Sequence, residues 1–198
     1  MAKRVFDMVL SAVGLVVLSP FFLVIAAWIK LDSPGPVFFR QERVGRLGQG
    51  FLIHKFRTMR HAPHEHGAQI TVGADARITR VGHLLRRHKL DELPQLIDVL
   101  AGTMSLVGPR PEVPRYVALY PPALREKVLS VRPGITDPAS IEFRDESELL
   151  ARAADPERTY IEQVMPAKLR SAADYVDRMS VRTDLQLIGR TLRRLWLR

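Results

Sequence analysis

Residues 8–29 read MVLSAVGLVVLSPFFLVIAAWI, from Met8 to Ile29, without one charged side chain. As a straight helix at ~1.5 Å per residue this run would be roughly 33 Å long, about the thickness of a bilayer's hydrocarbon core. It is too long for the apolar region of a signal peptide, and no small-x-small cleavage site follows it. A membrane segment is the reading that remains. Length alone favours a spanning helix. Two features favour return to the starting face. Lys3 and Arg4 precede the run, and Lys30, Arg40, Arg43 and Arg46 follow it, so the positive-inside rule keeps both flanks in the cytoplasm. Ser19-Pro20 lies at its middle. Pro20 has no N–H and meets the Val16 carbonyl, so a kink is expected there, and Ser19 is placed to hydrogen-bond a freed carbonyl.

Outside that run the chain is polar and basic. The 198 residues carry 30 Lys+Arg against 21 Asp+Glu, a formal net charge of +9. Such a balance calls for an anionic partner: nucleic acid, an acidic membrane surface or a phosphorylated substrate. There is no cysteine, which excludes disulfides, thiol catalysis and cysteine-ligated zinc. Few aromatics interleave with the basic residues and no nucleic-acid reading motif occurs, which argues against nucleic acid.

Punctuation by Gly and Pro divides the remainder. Val37–Gln41 and Phe51–Met59 read as a β-hairpin whose connection is loosened by Gly45, Gly48 and Gly50. Residues 61–76 read as a polar loop. Helices are expected at Ile78–His88, Leu93–Leu100, Pro122–Ser130, Leu149–Ala154 and Thr159–Met179. SLVGPRPEVPRY reads as a stiffened turn, and VRPGITDPAS breaks the helical pattern again. Towards the C-terminus, DLQLIGRTLRRLWLR sets Leu185, Ile188, Leu192, Leu195 and Trp196 on one helical face and Arg190, Arg193, Arg194 and Arg198 around the other. That is the pattern of an interfacial helix, apolar side and Trp to lipid, arginines to headgroups. The domain division is residues 1–30 as a membrane helix broken at Ser19-Pro20, and 31–198 as a membrane-seated catalytic domain on the cytoplasmic side.

The chemistry concentrates at RHKLDELPQL, residues 87–96. Asp91 and Glu92 stand side by side after Arg86, Arg87, His88 and Lys89. The residue before a proline avoids the α region, so Leu93 is expected to mark a helix boundary with both carboxylates at the helix start. In isolation that is an ordinary first turn. The surroundings change the reading. Arg86 lies on the preceding basic helix, Arg110 is held between Pro109 and Pro111, and Lys55 and Arg57 alternate on HKFRTM. Arginines on rigid elements grip phosphate bidentately. A carboxylate attacking phosphorus needs such cations, typically with Mg²⁺, to neutralise the phosphoryl oxygens. The constellation fits phosphoryl transfer at a membrane surface; the rival reading is a membrane-anchored scaffold whose basic surface only binds lipid. His61, His64 and His66 do not have the HExxH spacing of a metal site, and GRLGQG lacks the strand–turn–helix context of a dinucleotide fingerprint.

SPFF, GPVFFRQERVG, KFRTM, RITRVGHLLRRHKLDELPQL, MSLVGPRPEV and RPGIT, in that order over residues 3–137, resemble the monotopic phosphoglycosyl transferases, the bacterial sugar transferase family. A weaker echo is YVDRMSVRTDLQLIGRTL. The resemblance implies an α/β protein: a small, mostly helical catalytic domain with a short β-hairpin, an N-terminal re-entrant membrane helix broken at Ser19-Pro20, and amphipathic interfacial helices. It implies transfer of a phosphosugar from a UDP-sugar to polyprenyl phosphate, with release of UMP, initiating glycoconjugate assembly at the cytoplasmic face of the bacterial inner membrane. It implies Mg²⁺, with Asp91 as nucleophile and metal ligand and Glu92 as its partner. Arg86, Arg110, Lys55, Arg57 and Arg144 are then expected around the phosphates. Anionic lipid is an expected partner, nucleic acid is not, and the pattern is compatible with a homodimer. The chain departs from the pattern at Thr103, across 137–143 and at Ala172, where an acidic residue is usual.

Overall fold

The computed structural model describes residues 2–60, 75–143 and 146–196. The order is α1 (Ala2–Asp32), β1 (Phe38–Val44), β2 (Gly50–Phe56), α2 (Arg80–Arg87), a 3₁₀ turn (Leu90–Glu92), α3 (Gln95–Ala101), β3 (Ser105–Val107), α4 (Pro114–Val117), α5 (Pro122–Leu129), β4 (Gly134–Thr136), α6 (Pro138–Glu142), α7 (Glu146–Ala151), α8 (Pro156–Thr159), a π-helical turn (Tyr160–Val164), α9 (Met165–Asp177) and α10 (Val181–Trp196). Among the described residues the fold is mostly helical, with two small two-stranded sheets.

α1 is long and apolar enough to cross a membrane by length and composition. One helix, not two, covers the stretch, and Ser19-Pro20 does not interrupt it. The Ser19 hydroxyl donates to the Val16 carbonyl at 2.8 Å, the acceptor that Pro20, lacking an N–H, leaves unserved. The helix packs through one stripe. Asp7, Ser11, Ile25 and Ile29 are buried, Gly14 lies tight against Leu96, and Phe22 meets the edge of Phe56 at 5.3 Å. These positions recur every three or four residues, one face of a helix. Val5, Val9, Val13, Val16, Val17, Leu23, Val24 and Leu31 look outward and are exposed.

Both ends of α1 grip the same domain. Lys3 pairs with Asp184 on α10 and donates to the Val107 carbonyl at 3.0 Å. Arg4 donates to Val99 and Leu100 carbonyls at 2.7 and 3.2 Å, neutralising the C-terminal end of α3. At the other end Arg57 donates to the carbonyls of Ile29, Ser33 and Pro34 at 3.3, 2.7 and 2.6 Å, and Asp32 accepts from the Val81 N–H at 3.1 Å.

β1 and β2 pair antiparallel from Phe38↔Phe56 to Val44↔Gly50. Ile53 packs with Val99 and Met104, so α3 lies against β2. β3 and β4 run parallel, Ser105 opposite Gly134 and Val107 opposite Thr136. Just beyond β3, Gly108 crosses Gly134 so closely that a Cβ on Gly134 would lie 2.0 Å from the Gly108 nitrogen. The largest apolar core joins α4, α5, α7 and α9 around Tyr116, Val128, Leu150, Tyr160 and Leu169.

Several expectations are corrected. The hairpin strands are shifted to 38–44 and 50–56, and β3 and β4 were read as turns. At three residues each, they are too short for a period-2 signal. Leu93 stays in the right-handed helical region, φ −56°, ψ −36°, and Pro94 caps α3. The Leu93 N–H is held by Leu90 O at 3.3 Å and its carbonyl accepts from Leu96 at 3.1 Å, which outweighs the local penalty of a following proline. The long helix expected at 159–179 is present as one continuous helical run from Pro156 to Asp177, with a π turn at Tyr160–Val164 between α8 and α9. In α10, Asp184 and Leu187 turn to the domain, Ile188 packs partly against it, and Leu185 and Leu192 share an outward face.

Candidate active site

The Asp-Glu pair is delivered by a tight succession of turns. Thr79 caps α2, its hydroxyl accepting from the Gly82 N–H at 3.0 Å. Gly82 is where α2 touches the backbone beyond β2: a Cβ there would lie 2.0 Å from the Thr58 carbonyl oxygen. Only glycine allows that approach, and it brings Arg86 within reach of Thr58, Nε to Oγ1 at 2.9 Å. The chain then reverses through Lys89, which adopts the left-handed conformation at φ 54°. A non-glycine residue there costs about 1–2 kcal/mol. The reversal sends the 3₁₀ turn back under β2, burying Asp91 and Glu92.

The two neighbours have opposite environments. Glu92 accepts from Arg110 twice, Nη2 to Oε1 at 2.5 Å and Nη1 to Oε2 at 3.2 Å, and from Lys55 Nζ at 2.8 Å. Burial opposes its ionisation, but Arg110 and Lys55 outweigh burial and hold Glu92 well below the usual carboxylate range. In turn Glu92 raises Arg110, against burial, while burial lowers Lys55, with Glu92 opposing.

Asp91 is the reverse. Its Oδ1 is buried and accepts no hydrogen bond among the described residues. Burial, and then the charge of Glu92, push Asp91 above its ordinary value, with Lys55, Lys89 and Arg86 pulling the other way. One carboxylate is thus held by cations, and the one beside it keeps a buried oxygen without a hydrogen-bond donor among the described residues. A donor-free, more basic carboxylate oxygen among cations is equipped to attack an anionic phosphorus.

The structure brings Lys55, Arg86, Arg110, Asp91 and Glu92 together. It does not bring Arg57. β2 ends at Phe56, and the buried Arg57 guanidinium donates through both Nη atoms to the C-terminal end of α1, so the structure places it there and not beside Asp91 and Glu92. Ser19 and Pro20 lie within α1. Arg144, and His61, His64 and His66, lie outside the described residues. Sequence reasoning missed Arg43 on β1. Arg43 donates to the Pro111 carbonyl and to Glu112, at 3.3 and 3.2 Å, and Val44 N–H donates to Glu112 O at 2.9 Å. With Tyr160 donating to Glu112 Oε2 at 3.2 Å, this fixes the Pro109-Arg110-Pro111 segment. The alternation of Gln41 and Arg43 on one strand face was the available signal.

Among the described residues no three His, Asp or Glu side chains gather to hold a metal. Mg²⁺ does not need such a cage, since it is bound by one or two carboxylates plus substrate phosphates. The orphaned Oδ1 of Asp91 is a hard oxygen ligand of that kind, so the residues fit Mg²⁺.

Comparison with known proteins bears on this arrangement. The family model described as bacterial sugar transferase matches residues 1–198. The chain is 39% identical over 191 residues to a UDP-glucose:undecaprenyl-phosphate glucose-1-phosphate transferase of Xanthomonas campestris pv. campestris, covering 94% of this chain and 37% of that protein. It is 37% identical over 193 residues to a UDP-N-acetylgalactosamine-undecaprenyl-phosphate N-acetylgalactosaminephosphotransferase of Aeromonas hydrophila, covering 96% of this chain and 43% of that protein. It is 39% identical to the exopolysaccharide production protein PSS of Rhizobium leguminosarum bv. phaseoli, covering 96% of this chain and 92% of that protein. The chain thus spans about two-fifths of the first two relatives.

Proposed function

The chain belongs to the bacterial sugar transferase family, and on that premise we propose that it moves a sugar phosphate from a UDP-sugar to undecaprenyl phosphate, through a covalent intermediate on Asp91. The observation that carries this reading is the contrast between Glu92, held by Arg110 and Lys55, and Asp91, whose buried Oδ1 has no hydrogen-bond partner among the described residues. The named activities of the Xanthomonas and Aeromonas relatives support the same reaction class.

An Asp91 oxygen attacks the phosphorus that bears the sugar. A phosphorus–aspartate bond forms, the bond to the UMP oxygen breaks, and UMP leaves. A phosphate oxygen of undecaprenyl phosphate then attacks the same phosphorus. The Asp91 bond breaks, the carboxylate returns, and the lipid carries a diphosphate-linked sugar. Arg86 and Arg110 orient the donor's phosphates, and Lys55 shares its charge between Glu92 and the phosphoryl oxygens. Glu92 keeps Arg110 and Lys55 in place and ionised beside Asp91. Asp91 would hold Mg²⁺, which supplies charge neutralisation at the phosphoryl oxygens.

The acceptor is a membrane lipid, so the site must sit at a bilayer surface. The gripping of both ends of α1 by one domain supports a helix that enters and leaves the bilayer at the same face, the cytoplasmic one of the inner membrane. The outward apolar face of α1 and exposed Arg182, Arg190 and Arg193 on α10 support seating on anionic lipid.

The test is turnover. The purified protein, given undecaprenyl phosphate and Mg²⁺, is screened against UDP-glucose, UDP-galactose, UDP-N-acetylglucosamine and UDP-N-acetylgalactosamine for release of UMP. At least one donor should yield UMP stoichiometric with lipid-linked sugar. Release of UDP instead would put the bond cleavage at the sugar carbon and contradict the reading.

A further inference from the structure

Lys55 and Glu92 meet at 2.8 Å although they belong to elements far apart in sequence. A second contact ties the same strand to α3, the helix that follows the 3₁₀ turn. His54, the residue before Lys55 on β2, clasps Asp98 on α3 with two groups: its backbone N–H donates to Oδ2 at 2.8 Å, and its Nδ1 lies 2.7 Å from Oδ1. Asp98 is 3% exposed. Its backbone carbonyl accepts from the N–H groups of Thr103 and Met104, at 3.1 and 3.2 Å, so it is also a fixed point of α3. The His54 ring is braced from β1, where Phe38 meets it edge-on at 6.2 Å and Arg40 is its cross-strand partner. A carboxylate only accepts, so the proton between the two side chains sits on Nδ1.

We infer that His54 and Asp98 are positioning residues for the transfer reaction: their side-chain bond sets the height of β2 over α3 and so places the Lys55 ammonium at Glu92 and the donor's phosphates. The inference rests on the reading that Lys55 and Glu92 belong to the reacting site. Ile53 and Lys55 lie on one face of β2 and His54 on the other, so the strand meets α3 through both Ile53 and His54 while Lys55 reaches Glu92. A cation displaced by about 1 Å from its phosphate can cost up to about a hundredfold in rate. The backbone arm of the clasp does not depend on the side chain at position 54, so the asparagine and glutamine variants alter only the Nδ1 arm.

Two neutral polar replacements separate positioning from general stability. Asparagine carries its amide nitrogen at the δ position, where Nδ1 sits. Glutamine carries it one atom farther out. His54→Asn should keep kcat within about threefold of wild type, whereas His54→Gln should lose roughly tenfold or more in kcat, with both melting alike. UDP binding, measured by calorimetry with Mg²⁺, gives the second readout. His54→Gln should weaken UDP about tenfold in the otherwise native chain and less than twofold in a Lys55→Gln chain, because the effect runs through Lys55. Equal losses in both backgrounds, equal losses for asparagine and glutamine, or no loss would overturn the inference while leaving the site intact. A Lys55→Gln chain with native turnover and UDP affinity would instead refute the reading of the site, and the inference falls with it.

Discussion

Replacing Arg110 with alanine takes from Glu92 two of its three hydrogen bonds and one of its two cations. Glu92 remains buried, with Lys55 the cation still bonded to it among the described residues. Removing one partner of a buried ion pair costs ~3–5 kcal/mol. The Arg110 side chain is 30% exposed, so water reaches part of the pair and the expected loss falls to ~2–3 kcal/mol. For a chain of this size each kcal/mol lowers the melting temperature by about 2–4 °C, so the Arg110→Ala protein should melt roughly 5–10 °C lower. Turnover should fall by about 10²–10³, because a cation aimed at the phosphates is lost as well. Arg110→Lys restores one charge but not the two-pronged geometry. It should recover part of the stability and little of the activity. Thermal unfolding in detergent and UMP release measure the two effects separately. An Arg110→Ala protein that melts within 1 °C of wild type and turns over normally would refute the account of Glu92 as the anchor of the site.

The same pair has a pH signature. Glu92 ionises below its ordinary value, so its stabilisation is present above that ordinary value and is lost as pH falls through the lowered one; Glu92→Gln should make acid melting curves shallower in that window. Asp91 is raised and must be ionised to attack, so the acid limb of kcat/KM should lie above the usual aspartate range. Gly82→Ala would drive a methyl into the Thr58 carbonyl. It should cost ~1–3 kcal/mol and, by separating Arg86 from Thr58, depress turnover in protein that remains folded. For topology, cysteines at positions 2 and 33 should both resist a membrane-impermeant thiol reagent in intact cells and react once the inner membrane is opened. Labelling of residue 2 from outside would show a spanning α1.

What was legible in the sequence was local. An uncharged run of helical length identifies α1, and Ser19 beside Pro20 foretells the bond to Val16. Asp91 and Glu92 stand out because carboxylates seldom sit beside so many cations without purpose. What was not legible depends on tertiary contact. Lys55 and Arg57 look equivalent in HKFRTM, yet β2 ends between them, and one meets Glu92 while the other closes α1. Lys3 and Arg4 read as topology signals, but they also bind Asp184 and the end of α3. β3 and β4 are too short for any period, and their pairing rests on Gly108 and Gly134, which the sequence marks only as a turn. The clasp of His54 on Asp98 spans 44 residues, a distance no local pattern crosses.

The central claim is that Asp91 carries the sugar phosphate. The direct measurement is mass spectrometry of the intact protein and its peptides after exposure to its UDP-sugar donor and Mg²⁺ without lipid acceptor. The account predicts a phosphosugar adduct on the peptide containing Asp91, discharged when undecaprenyl phosphate is added, and absent from Asp91→Asn protein that has kept its fold. An Asp91→Asn protein that still turns over, or an adduct on any other residue, would contradict it.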